Sequence, residues 1–122
     1  MTVPVIDSHV SWVYTEDLER AVAFYGEKLG LECVRDEGSA RLFQVTPTSL
    51  IGVCVAFEDR IVSPKGSMIS IVTDDVDSWY QLLADTDARI QAPPHRLDAF
   101  NIYTFFVEDP DGYVIEFQQF LD

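Results

Sequence analysis

The chain repeats itself, and that repeat limits its fold more than any other feature. Asp17-Leu18-Glu19 opens one helical pattern and Asp75-Val76-Asp77 opens a second. At the same offset Ala21 falls on Trp79, Val22 on Tyr80, Phe24 on Leu82 and Tyr25 on Leu83. Leu18, Ala21, Val22, Tyr25 and Leu29 fit the apolar face of an amphipathic helix. Asp17 and Asp75 suit the N-cap, where a carboxylate accepts a hydrogen bond from a free N–H of the first turn. Gly30 ends the first helix, because glycine enters the left-handed region at little cost.

A strand precedes each helix: Val10 to Thr15 in the first half and Met68 to Thr73 in the second, both rich in β-branched and other strand-forming side chains. Further strand-like runs follow each helix. They are Leu31 to Arg35, Leu42 to Thr46 and Leu50 to Phe57 in the first half. The second half has a short run near Ala88 to Gln91, then Ile102 to Val107 and Tyr113 to Phe120. Asp109-Pro110-Asp111-Gly112 is a turn signal, since Pro110 pre-sets its φ and Gly112 tolerates a positive one. It joins the last two strands as a hairpin. The link from Glu58 to Gly66 carries charges, a proline and a glycine, and the boundary between halves is placed there.

The reading is an α+β fold: strand–helix–strand–strand–strand, twice, within a single domain over residues 1–122, with halves 1–60 and 65–122. Neither half is large enough to bury its sheet alone. Two βαβββ modules with helices outside form a curved sheet around a cleft, where a small molecule binds. The 48% hydrophobic content supplies a buried core and argues against disorder. No apolar run approaches the roughly 20 residues of a membrane span, and the N-terminus lacks the basic and apolar regions of a secretory signal. Cys33 and Cys54 show no CxxC or disulfide-framework spacing and read as reduced, buried small hydrophobes, with a cytoplasmic location as the default. The formal net charge of −13 opposes nucleic acid and anionic membrane surfaces and favours a cationic ligand. The same acidic side chains also serve as a solubilising surface.

Two motifs carry a family resemblance. Asp17-Leu18-Glu19-Arg20-Ala21-Val22-Ala23-Phe24-Tyr25 with Leu29-Gly30-Leu31 resembles the first-helix signature of the vicinal-oxygen-chelate superfamily. This is the glyoxalase, bleomycin-resistance and dioxygenase group. Phe106-Val107-Glu108-Asp109-Pro110-Asp111-Gly112-Tyr113-Val114-Ile115-Glu116-Phe117 resembles its closing hairpin. Together the motifs span nearly the whole chain and point to the fold, which hosts many chemistries. The resemblance implies a homodimer.

In catalytic members, a His or Gln from the first strand of half one, a His from the first strand of half two and a Glu from the last strand hold a divalent metal. The metal is Zn, Mn, Ni or Fe, and it acts as a Lewis acid toward bound substrate oxygens. The resemblance gives Glu116 the carboxylate position, as metal ligand and catalytic group. Met68 stands where the second-half histidine belongs, and a thioether is a poor ligand for such metals. His9 is the histidine nearest a ligand position. The repeat, however, pairs Val10 with Met68, so strict alternation turns His9 away from the cleft unless a bulge near Thr15 or Glu16 restores the register. Glu58 lies at the repeat offset from Glu116. His95, in the loop Ala92 to Arg96, is either an exposed loop histidine or an acid–base group at the cleft rim.

If Val10 and Met68 face the cleft, Trp12, Tyr14, Ser70 and Val72 face it too, and Glu116 shares its side with Gln118. Trp12, Tyr14, Met68, Ser70 and Gln118 are therefore the candidate ligand-binding residues, with Trp12 and Tyr14 suited to stacking. Two functions stand against each other. One is a glyoxalase/bleomycin-resistance-like protein that binds a small aromatic or cationic molecule without a catalytic metal. The other is a metal-dependent lyase, isomerase or ring-cleaving dioxygenase using His9 and Glu116. Fosfomycin or glutathione adducts are less well served, because Arg20, Arg35, Arg41, Arg89 and Arg96 are scattered along the chain. For a purely structural module nothing in the sequence argues.

Overall fold

A computed structural model describes residues 2–122. Its backbone contacts fall into two units, one ending at Val62 and the other beginning at Ser63. The first contains β1 (His9–Thr15), α1 (Leu18–Ala23), β2 (Glu32–Asp36), β3 (Ala40–Thr46) and β4 (Ser49–Val55). The second contains β5 (Met68–Val72), α2 (Val76–Ala84), β6 (Arg89–Ile90), β7 (His95–Leu97), β8 (Ile102–Glu108) and β9 (Val114–Phe120). The sheet orders are β1-β4-β3-β2 and β5-β9-β8-β6, with β7 also paired to β8. In both, the first strand lies parallel to the last and the other pairings are antiparallel. This is the mixed α+β architecture expected from the repeat. No described helix is long and apolar enough to cross a membrane.

Alternation decides which side chains meet each helix. On β1, Val13 and Thr15 are buried, and their β4 neighbour Val53 and β3 residue Phe43 complete one apolar face. Ala21, Phe24, Tyr25 and Leu29 cover that face. In the second unit Phe105, Val107, Ile115 and Phe117 are buried together with Val76 and Leu83 of α2. Trp79 stacks on Phe117 at 4.9 Å between centroids, and Phe105 stacks on Phe117 at 5.3 Å. Burying an aromatic or aliphatic side chain of this size contributes about 1.5–3 kcal/mol each, so these faces dominate the stability of each unit.

Local signals act where they stand in the sequence. The Asp17 carboxylate accepts the Arg20 N–H at 3.2 Å, and Asp75 accepts the Ser78 N–H at 3.1 Å. Gly30 has φ +73° and Gly112 φ +94°. In the β8–β9 turn the buried Asp109 carboxylate accepts N–H groups from Asp111 and Tyr113, each at 2.9 Å, which locks the hairpin.

Several expectations need correction. The first helix does not stay α-helical: Phe24–Lys28 form a π-helical turn, in which the Leu29 N–H donates to the Phe24 carbonyl at 2.9 Å. The wider turn lets the adjacent Phe24 and Tyr25 both point inward, which a regular 3.6-residue turn resists. His95 opens strand β7 and is not in a loop. Cys54 is buried as expected, but Cys33 is exposed, because it lies on β2, an edge strand whose residues are all exposed. Glu58 sits in a turn with φ 50°, outside any strand, so it is not the counterpart of Glu116.

Candidate functional site

The open face of the second sheet follows from its register. β5 sets Ser70 beside Glu116 on β9, and β8 sets Phe106 on the other side of it. Met68, Ser70, Glu116, Gln118 and Phe120 therefore share one side of the sheet, opposite the helix. With Leu97, Phe100, Ile102 and Phe106 they line a cavity of ≈410 Å³. This is within the usual range for small-molecule sites.

At its floor Glu116 is only 3% exposed. The Ser70 hydroxyl donates to Oε1 at 2.5 Å and the Thr104 hydroxyl to Oε2 at 2.8 Å. A buried carboxylate is costly unless hydrogen bonded, and these two donors hold it in place. No basic side chain lines the cavity. A wider hollow of ≈760 Å³ adjoins Met68 on the side of the Pro64–Ser67 linker, but its charged groups, Lys65 and Glu108, are not buried.

Four of the sequence-derived residues, Met68, Ser70, Glu116 and Gln118, thus come together. Trp12 and Tyr14 line a different hollow of ≈290 Å³ in the first unit, with Cys54, Phe57 and Arg60. Thr104 was missed, as were the walls Leu97, Phe100 and Phe106. The run Ile102-Tyr103-Thr104-Phe105-Phe106 lacks polar–apolar alternation, so its cavity side cannot be read along the chain. Register alone aligns Thr104 with Gln118 and brings its hydroxyl to Glu116.

The family's metal does not fit the residues present. Met68 is 52% exposed and offers only a thioether. Glu116 stands in its cavity lining with no imidazole and no second carboxylate beside it. His9 is exposed, and its pairing with β4 runs without a register shift from His9 to Thr15, so no bulge turns it. It shares the side of Val13 and Thr15, opposite Trp12 and Tyr14. Among the described residues no group of three or more His, Cys, Asp or Glu could hold a metal ion. His95 pairs with Thr104, but it is exposed and outside the cavity lining. Its Nδ1 lies 2.9 Å from the Pro93 carbonyl, which can only accept, so the neutral ring keeps its proton on Nδ1.

The model of the Glyoxalase/Bleomycin resistance protein/Dioxygenase superfamily matches residues 7–117. No curated protein matches the chain. A solved glyoxalase/bleomycin resistance protein/dioxygenase from Nocardioides is 18% identical, with TM-score 0.77, over 100% of this chain and 87% of that one. A protein of the same description from Alicyclobacillus acidocaldarius is 22% identical, with TM-score 0.77, over 95% and 92%. A lactoylglutathione lyase from Agrobacterium tumefaciens is 22% identical, with TM-score 0.74, over 95% of both chains. At these identities the likeness is one of fold.

Proposed function

The chain belongs to the Glyoxalase/Bleomycin resistance protein/Dioxygenase superfamily, and from that premise we propose that it binds a small aromatic or cationic molecule without a catalytic metal. The observation that carries this reading is Glu116: a nearly buried carboxylate, tethered by two hydroxyls, in a mostly apolar cavity with no basic neighbour in its lining. A carboxylate has about four acceptor positions, and the Ser70 and Thr104 hydroxyls use two. A ligand N–H⁺ takes up the remainder. Phe100, Phe106 and Phe120 supply aromatic rings to the lining, which suit a cation or an aromatic group. The net charge of −13 concentrates cations near the protein and disfavours nucleic acid and anionic membranes. In the same reading Met68 and Gln118 shape the cavity, and the protein works as a cytoplasmic homodimer.

Calorimetric titration with benzylammonium and the neutral isostere benzyl alcohol tests it. The amine should bind more tightly, and Glu116→Gln should reduce its affinity about tenfold to hundredfold while leaving the alcohol unchanged, as for loss of a charged hydrogen bond. Equal binding of alcohol and amine would overturn the cation reading. Elemental analysis of protein purified without added metal or chelator addresses the metal-dependent lyase or dioxygenase. A stoichiometric divalent ion, lost in Glu116→Gln, would establish a metal centre and remove the metal-free reading.

A further inference from the structure

The two sheets place different side-chain pairs at equivalent positions. In the second unit Ser70 faces Glu116 across the parallel first and last strands. In the first unit the same position holds Trp12 facing Gly52. Trp12 stands as far before the helix cap Asp17 as Ser70 stands before Asp75. The carboxylate position of one half is thus a bare backbone in the other.

The bare backbone has a steric cause. A Cβ added at Gly52 would lie 2.5 Å from Cε3 and Cζ3 of Trp12 and 2.8 Å from its Cδ2. The benzo ring of the indole fills the space a side chain would take, lying over the neighbouring strand. No other residue leaves that space empty, which is why glycine stands inside a strand where it otherwise weakens the sheet. One side of the indole is covered by Gly52, yet Trp12 is still 44% exposed. Its free surface borders the hollow lined by Tyr14, Cys54, Phe57 and Arg60. The Arg60 guanidinium lies 5.3 Å from the Phe57 ring centroid and 3.5 Å from the carboxylate of the exposed Asp59. Among the described residues the Tyr14 hydroxyl has no hydrogen-bond partner.

We propose that Trp12, seated on Gly52, is a stacking platform for a planar aromatic ring that carries a hydrogen-bond acceptor on its edge. Gly52 is the positioning residue that keeps the indole down on the sheet. The flat open ring selects a flat partner. The Tyr14 hydroxyl and the Arg60 guanidinium, both donors, select an acceptor such as a carboxylate or nitro oxygen. A hollow of ≈290 Å³ is at the small end of ligand sites and suits one or two fused rings. The inference rests on the reading of this chain as a small-molecule binder, and it adds a ligand class taken by the hollow of the first unit.

The test uses the full chain with Trp79→Phe, which leaves Trp12 as the only tryptophan. Its fluorescence is followed on titration with 4-nitrobenzoate and with the saturated cyclohexanecarboxylate. The nitroaromatic should quench Trp12 saturably and bind about tenfold more tightly than the saturated acid. Gly52→Ala should lift the indole, change its emission and remove that preference. Trp12→Leu, which leaves the Gly52 backbone untouched, should remove it too when binding is followed by calorimetry. Circular dichroism reports whether each variant is folded, and benzylammonium is titrated in parallel to follow the Glu116 cavity. Equal affinity for the two acids, or an unchanged preference in folded Gly52→Ala and Trp12→Leu, would overturn the platform. Amine binding without the aromatic preference sinks this inference and leaves the proposed function standing. A Trp12-dependent preference without amine binding does the reverse, and binding of neither sinks both.

Discussion

A carboxylate nearly removed from water needs donors, and Glu116 finds them on two different strands, Ser70 of β5 and Thr104 of β8. That arrangement commits it to accepting hydrogen bonds. Its place in the closing hairpin was legible in the sequence; its donors were only half legible, because Thr104 carries no motif. A second carboxylate that accepts from a hydroxyl sits on the helix side of the same unit. The Tyr103 hydroxyl donates to Asp77 Oδ1 at 2.6 Å. That hydrogen bond, then desolvation, then the Asp77 charge raise the Tyr103 phenol above its ordinary value of 10.0. The folded state thereby favours the protonated phenol. The contribution of the pair is complete below about pH 10, where the unfolded chain ionises, and is lost as pH climbs through the higher folded value. Urea unfolding followed from about pH 9 to about pH 11 should show a smaller loss of stability in Tyr103→Phe than in the parent protein. An identical alkaline loss in both would remove Tyr103 from the account.

At the scale of the element, capping signals translated directly into structure, because an N-cap is a contact between residues three apart. α2 begins at Val76 under the Asp75 carboxylate, which accepts the Ser78 N–H of its first turn. Asp75→Ala should cost about 1 kcal/mol of stability. The urea midpoint checks this, with Asp75→Asn as the near-neutral control. The π-helical turn at Phe24–Lys28 was not legible. It answers a packing demand: Tyr25 lies 6.1 Å from the Phe43 ring, and Phe24 and Tyr25 meet nearly perpendicular at 4.9 Å. The first of those neighbours lies on another strand. The short β7 was hidden for a related reason, since His95-Arg96-Leu97 becomes a strand only by pairing with Ile102–Thr104.

For the whole molecule, charge is the property with the longest reach. Twenty-one acidic residues against eight Lys and Arg give the chain its net charge of −13. Several basic residues sit in local pairs, Arg35 with Glu37, Arg41 with Asp36 and Arg96 with Asp98, which leaves the excess acid largely unbalanced. Self-repulsion of this kind weakens the compact state and is screened over about 10 Å at 0.1 M salt. Raising sodium chloride from about 0.02 M to about 0.5 M should therefore raise the thermal midpoint by a few degrees. A midpoint that is flat or falling across that range would show that specific ion pairs outweigh the net repulsion.

The amino-acid order by itself determined the doubled strand–helix–strand–strand–strand pattern, the two caps, the Asp109–Gly112 turn and the side of the strand to which Glu116 belongs. Each of these depends on contacts a few residues apart or on the two-residue alternation of a strand. Only the tertiary structure decided that Thr104 meets Glu116, that Gly52 and not Glu58 stands opposite Trp12, and that His95 joins a sheet. Those facts depend on how separate strands are aligned. That alignment is chosen by the burial of whole faces at once, which no short stretch of residues encodes.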